Sequence, residues 1–123
     1  MKALILLSHG SRRSESNDEM KSLAARIRAL PENTFTHVAC AFQQFAAPTF
    51  QEVIKDLMGR GVHTIVVLPL FLASGSHVRI DVPEMIDAAT SKYPELSIAV
   101  RPHLGQIEGL DRFLLTAAAD NRT

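Results

Sequence analysis

The chain has 123 residues, its 13 Lys and Arg balance its 13 Asp and Glu, and 46% of its residues are hydrophobic. A chain of this length is expected to form a single domain over residues 1–123, with a hydrophobic core that needs no disulfide or metal ion to be stable. Zero net charge without any run of four like charges argues against nucleic acid or an anionic membrane as a partner.

Two features of the sequence predict the cellular compartment of the protein. The single cysteine, Cys40, lies in an apolar stretch and cannot form an internal disulfide, which favours a reduced, buried thiol. The longest N-terminal apolar run, Ala3 to Leu7, is shorter than a signal-peptide core or a membrane span. We expect a soluble, cytoplasmic protein.

The first half of the chain predicts two strand–helix units. Ala3 to Leu7 is a continuous apolar run, typical of a strand buried on both faces. Apolar residues at three- and four-residue spacing then predict an amphipathic helix over 14–30, stopped by Pro31. A second strand is predicted over 35–42. A second helix is predicted to begin at Pro48, because proline is tolerated in the first helical turn, and to end at Gly59 and Gly61.

The second half repeats the pattern. A strand rich in β-branched residues is predicted over 62–68. After a loop, a helix is predicted over 82–92, with Asp81 in the N-cap position. A short strand over 96–100 and a last helix over 107–119 complete the chain.

These units predict an α/β fold, a doubly wound, four-stranded parallel sheet in the order 2-1-3-4 with helices on both faces, as in half of a flavodoxin-like domain. Ligands bind such sheets beyond the carboxyl ends of the strands, where the strand order reverses. The loops at that edge are 8–13 and 70–79, and secondarily 43–47 and 101–105.

Two of the five histidines follow the strands that flank the switch point. His9 follows the first strand and His77 the third, whereas His37 and His63 fall on the opposite edge and His103 lies further out. Two neutral imidazoles with open positions suit a divalent transition metal that is held loosely and handed on. Ordinary polar residues at strand ends are the alternative for this pair.

Further polar residues flank the two histidines. The small residues Ser8, Ser74, Gly75 and Ser76 supply flexible backbone near a ligand, and Arg12, Arg13 and Arg79 can bind an anionic ligand bidentately or simply be solvated. Gln44 follows the second strand, and its amide can only hydrogen-bond or coordinate weakly. No phosphate-binding glycine loop and no nucleophile elbow is present.

The segments LLSHGSR at 6–12, AFQQFAAP at 41–48, VLPLFLASGSH at 67–77 and DVP at 81–83 resemble the small form of sirohydrochlorin cobaltochelatase, the CbiX type. The resemblance covers nearly the whole chain. It implies a class II chelatase half-domain that inserts a divalent metal, cobalt or otherwise nickel or iron, into the tetrapyrrole sirohydrochlorin, on the route to cobalamin or sirohaem.

The resemblance also implies a homodimer that encloses the macrocycle, no organic cofactor, and metal binding by His9 and His77. These two residues and Gln44 are the predicted catalytic group, and Ser8, Arg12, Arg13, Ser74, Gly75, Ser76 and Arg79 the predicted substrate-binding residues. The family commonly carries Glu at the position of Gln44. A non-catalytic metal or tetrapyrrole carrier is therefore the first alternative, and a phosphatase with a His9 nucleophile the second, although phosphatases place Arg where this chain has Ser8.

Overall fold

The computed structural model describes residues 1–119. The four strands are β1 (Lys2–Ser8), β2 (His37–Phe42), β3 (Thr64–Pro69) and β4 (Ser97–Val100). The helices are α1 (Ser14–Ala29), α2 (Phe50–Gly59), α3 (Val82–Lys92) and α4 (Leu110–Ala118). A π-helical turn, His77–Asp81, precedes α3, and a 3₁₀ turn, Leu104–Gln106, precedes α4.

The strands form one parallel sheet in the order β2-β1-β3-β4, so the predicted fold class and strand order are confirmed. Central strand β1 pairs with β2 up to Ser8 opposite Phe42, and with β3 up to Leu7 opposite Pro69. The carboxyl ends of these three strands therefore lie level at one edge of the sheet.

Separate apolar clusters cover the two faces of the sheet. Alternate residues of β1, including Ala3, Ile5 and Leu7, pack with residues of α2 and α3 on one face. The remaining residues of β1, Leu4 and Leu6, pack with α1 on the other. Since both faces of β1 are buried, its sequence is apolar at every position from 3 to 7.

Helix α2 begins two residues after the predicted position. Thr49 is its N-cap: the Thr49 side chain accepts a bond from the Glu52 amide at 3.2 Å, and the Glu52 carboxylate accepts one from the Thr49 amide at 2.9 Å. This reciprocal capping box, and not Pro48, starts the helix, so Pro48 lies just outside it.

Helix α3 has the predicted bounds, 82–92, but the predicted capping role of Asp81 and the predicted start of the last helix are wrong. Asp81 has helical φ and ψ of −68° and −40° and makes no capping bond, because the chain is already helical through the turn His77–Asp81. The second part of the predicted loop 70–79 is therefore helical. The last helix starts at Leu110 instead of 107, because Gly109 adopts a φ of 94° that interrupts the helical path.

Cys40 is buried in β2, as predicted. Burial raises the pKa of the Cys40 thiol, and the neighbouring Ser8 hydroxyl and Lys21 ammonium oppose this rise. A thiol with a raised pKa is a poor nucleophile, so Cys40 belongs to the core and not to a reactive site. Within residues 1–119, no helix has the length and apolar character needed to cross a membrane.

The capping box makes a measurable contribution to stability. We expect Thr49→Ala to lower the free energy of unfolding by about 1 kcal/mol, since the Glu52 amide loses its acceptor. Urea denaturation followed by circular dichroism measures the change. Thr34→Ala, at an exposed loop position, is the control and should change stability by less than about 0.5 kcal/mol; equal effects would contradict the assignment.

Candidate functional site

Backbone hydrogen bonds continue the sheet ladder past the strand ends and build the candidate site. The Gln43 amide donates to the Ser8 carbonyl at 2.9 Å, and the Gln44 amide donates to the His9 carbonyl at 3.0 Å. On the opposite side, the Leu70 amide donates to the Leu7 carbonyl at 2.8 Å. The residue after β1, His9, is therefore held between the chain segments that leave β2 and β3, as predicted.

Gly10 permits this close approach of the two loops. Its φ is 88°, and a Cβ built at Gly10 would lie 1.8 Å from the carbonyl oxygen of Gln44. No other residue type fits here without moving the backbone, because the contact is with main chain and not with a flexible side chain. The glycine of the Ser-His-Gly sequence thus brings His9 and Gln44 together.

The His9 imidazole is accessible at this edge, and an aromatic ring supports it. Its ring centroid lies 4.2 Å from that of Phe71, with the two planes at 42°. Phe71 is only 3% exposed, so it is a fixed surface against which the exposed imidazole rests. This contact limits the orientations of a side chain that can bind metal or accept a proton.

The segment that carries His77 is joined to the same edge by a side-chain hydrogen bond. The Gln43 side-chain amide donates to the Asp81 carboxylate at 2.9 Å, which links the end of β2 to the last residue of the π-helical turn. His77 is the first residue of that turn, and the side chains of His77 and Val78 lie outside the described part of the chain. Single π-helical turns occur frequently at functional sites.

The predicted arginines differ in their surroundings. The Arg12 guanidinium carbon lies 4.6 Å from the ring centroid of Phe45, a residue 55% exposed with a φ of 65°. Arg13 is exposed and lies 3.9 Å from the Glu15 carboxylate, and Arg79 is exposed on the π-helical turn. Arg12 and Phe45 thus form an exposed basic and aromatic pair beside His9.

The small predicted residues fall into two groups. Ser74 is half-buried and Gly75 and Ser76 are exposed, on the segment between β3 and the π-helical turn. Ser8 is instead buried, 6% exposed, with its hydroxyl beside the Cys40 thiol. The structure therefore gives no support to a direct substrate contact from Ser8.

The remaining histidines have surroundings that differ from those of His9. His37 is the first residue of β2 and His63 immediately precedes β3, so both are on the opposite edge, as predicted. His103 is 7% exposed and lines a separate cleft with Pro69 and Val82. Among the side chains that the structure describes, no three His, Cys, Asp or Glu residues are grouped closely enough to hold a metal ion.

Three contributors to the edge were not identified from the sequence as site residues. Gln43 and Asp81 form a bond between positions 38 residues apart, which no local pattern reveals. Phe45 adopts a left-handed conformation that is uncommon for a bulky side chain and is often found at functional sites. The available signal for Gln43 and Phe45 was their place in the loop 43–47, which the sequence predicts to lie at this edge.

The sheet is parallel, and an accessible histidine and arginines lie at its carboxyl edge, around the switch point. Domains of this class bind small ligands at that edge. The sequence model of the CbiX family matches residues 3–120. The chain belongs to the CbiX family.

Curated relatives are named sirohydrochlorin cobaltochelatase. The protein from Methanococcus maripaludis is 34% identical over 86 residues, which are 70% of this chain and 58% of the relative. That from Saccharolobus solfataricus is 29% identical over 121 residues, covering 94% of this chain and 91% of the relative. The chain thus matches little more than half of the Methanococcus relative but nearly all of the Saccharolobus one.

Solved structures share the fold over almost the entire chain. A CbiX protein of cobalamin (vitamin B12) biosynthesis from Marinobacter aquaeolei VT8 superposes with a TM-score of 0.81 at 27% identity, covering 96% of this chain and 94% of that one. The sirohydrochlorin chelatase SirB from Bacillus subtilis subspecies spizizenii, in complex with cobalt, gives a TM-score of 0.82 at 25% identity. It covers 98% of this chain and 50% of SirB.

A substitution that adds one methyl group at Gly10 tests the close approach of the two loops. We expect Gly10→Ala to destabilise the fold by about 2–4 kcal/mol, because it combines a positive φ with a clash against the Gln44 backbone. Gly75→Ala is the matched control, since nothing lies within 4 Å of its added Cβ. Thermal and urea unfolding measure both variants, and similar stability of the two would show that the loops are not in this contact.

Proposed function

We propose that this chain inserts a divalent transition metal into sirohydrochlorin, with cobalt favoured over nickel and iron. The observation that carries the proposal is the position of His9, accessible between the ends of β2 and β3 and supported by Phe71, in a chain of the CbiX family. Relatives named sirohydrochlorin cobaltochelatase support the substrate and the reaction. The comparisons support neither the carrier nor the phosphatase, and the carrier alternative rests on Gln44 alone.

In this proposal His9 and His77 bind the incoming ion from one side of the macrocycle. Two imidazoles leave several coordination positions open, so the ion keeps water and can exchange its ligands for pyrrole nitrogens. A neutral imidazole has one free lone pair, which the ion occupies while it is bound, so each histidine can accept a pyrrole proton at that nitrogen only as its bond to the ion breaks. Weak binding favours transfer of the ion over its retention.

The exposed basic and aromatic pair gives the macrocycle a place to bind. The Phe45 ring offers a flat apolar surface, and the Arg12 guanidinium above it can form paired hydrogen bonds with a substrate carboxylate. Arg13 and Arg79 are exposed beside the same loops and supply further positive charge. Gln44 lies exposed next to His9, where its side-chain oxygen can hydrogen-bond but cannot act as a base.

We also propose that two copies act together. The edge of one four-stranded sheet is a shallow surface, whereas burying most of a large planar ligand needs walls on both sides. SirB, whose chain is about twice as long as the part matched here, supports this arrangement.

Anaerobic absorbance spectroscopy of sirohydrochlorin with Co²⁺, Ni²⁺ or Fe²⁺ tests the activity. We expect insertion well above the uncatalysed rate, and a loss of about 100-fold or more in His9→Ala and His77→Ala, since each removes a metal ligand and a proton acceptor. His37→Ala and His63→Ala, on the opposite edge, are controls that should retain activity. A rate equal to that of buffer, with a gain of activity in Gln44→Glu, would favour the carrier instead.

The role of Arg12 is separable from that of the histidines. We expect Arg12→Gln to raise the KM for sirohydrochlorin about tenfold with a smaller effect on kcat, because it removes a carboxylate contact that is present before the metal moves. Arg60→Gln is the control, since Arg60 pairs with Asp56 at the far end of α2. An unchanged KM in Arg12→Gln would remove Arg12 from the substrate site.

A further inference from the structure

The segment that leads from β3 to His77 is open to solvent. The Gly105 amide donates to the Phe71 carbonyl at 3.1 Å and holds the start of this segment. The following residues, 72–76, are exposed except for the half-buried Ser74, and nothing lies within 4 Å of a Cβ built at Gly75. Since few contacts fix this side of the π-helical turn, the position of His77 has to be set from the other side.

The C-terminal end of the turn is anchored. Among the described elements, the turn packs chiefly against α3, into which it continues. Val82, the first residue of α3, is 3% exposed and belongs to the apolar cluster that contains Phe71. Asp81, directly before it, accepts the bond from the Gln43 side chain at 2.9 Å. Asp81 and Val82 therefore fix the end of a turn whose first residue is His77.

Gln43 is itself held in place by main chain. Its backbone amide donates to the Ser8 carbonyl at 2.9 Å, where the sheet ladder continues past β1 and β2. A carboxylate can only accept hydrogen bonds, so the side-chain nitrogen of Gln43 is the end that faces Asp81. The bond therefore connects the turn that carries His77 to the backbone immediately before His9.

The other end of the Gln43 side chain argues that stability alone does not account for this residue. Its Oε1 atom is buried, and no described residue donates a hydrogen bond to it. A buried carbonyl oxygen without a donor destabilises a fold, whereas leucine, which is similar in size, would fill the position without one. The Gln43 amide is thus explained by its bond to Asp81 and not by its own packing.

We propose that Gln43 and Asp81 are positioning residues, which hold the π-helical turn so that His77 stands at the same edge as His9. The inference rests on the proposed metal site, because the pair acts only through His77. Partners that orient a metal-binding histidine affect metal affinity without touching the metal. The Gln43–Asp81 pair therefore sets the affinity for the incoming ion, whereas the exposed basic and aromatic pair binds the macrocycle.

Calorimetric titration of the full chain with Co²⁺ tests this role in the absence of tetrapyrrole. We expect Gln43→Leu and Asp81→Ala each to raise the Kd for Co²⁺ about tenfold, because each releases the turn. Asp81→Asn should stay within about twofold of the native Kd, since its side-chain oxygen still accepts from Gln43. Gln51→Leu, at an exposed position of α2, is the matched control and should leave the Kd unchanged.

The outcomes separate this role from the proposed reaction. A native Kd in Gln43→Leu, or a loss of affinity in Asp81→Asn as large as in Asp81→Ala, would overturn the positioning role and leave the chelatase proposal standing. A native chain that binds no Co²⁺ would overturn the metal site and the positioning role together.

A double variant shows whether the two residues act as a pair. Gln43→Leu combined with Asp81→Ala should raise the Kd no further than either substitution alone, because all three variants lose the same bond; additive effects would overturn the pairing.

Urea unfolding distinguishes positioning from a merely structural role. We expect Gln43→Leu to shift the unfolding midpoint by less than about 0.5 M, because the buried Oε1 is removed together with the bond. A loss of stability that parallels the loss of Co²⁺ affinity would overturn the positioning role.

Discussion

The parallel register of β1 between β2 and β3 is the constraint on which the rest of the structure depends. Ser8 lies opposite Phe42 and Leu7 opposite Pro69, so three strands end level. The ladder then continues into the loops, where Gln44 bonds to the backbone of His9 and Leu70 to that of Leu7. Because these bonds are made by main chain, most positions in the loops can vary their side chains without moving the backbone, and Gly10 is the exception.

The edge combines a rigid base with accessible groups, a combination that the proposed metal transfer requires. Three contacts form the rigid base: the close backbone approach at Gly10, the packing of Phe71 against the His9 ring, and the Gln43–Asp81 hydrogen bond. The His9 imidazole and the Arg12–Phe45 pair remain exposed above that base. A deeply buried site with a complete set of ligands would retain a metal ion, whereas an exposed histidine at a fixed position can accept one and pass it on.

The sequence predicted those features that arise from periodic burial, and missed those made by contacts between distant residues. Apolar runs and their spacing identified the four strands, their order and the edge that carries His9. The Thr49 cap was missed because Pro48 was the stronger local signal, and the role of Asp81 because its partner, Gln43, is 38 residues away. The last helix was predicted within three residues of its start, but the exposure of its apolar residues was not, because an amphipathic pattern does not say which surface the apolar face contacts.

Metal binding by His9 and His77 can be observed by anomalous diffraction at the cobalt absorption edge, from crystals of the native chain grown with Co²⁺. We expect one strong anomalous peak within coordination distance, about 2.0–2.2 Å, of the His9 imidazole and of His77. Cobalt bound at His37 or His63, on the opposite edge, or no ordered cobalt near His9 at saturating concentration, would show that these two histidines are not the metal site.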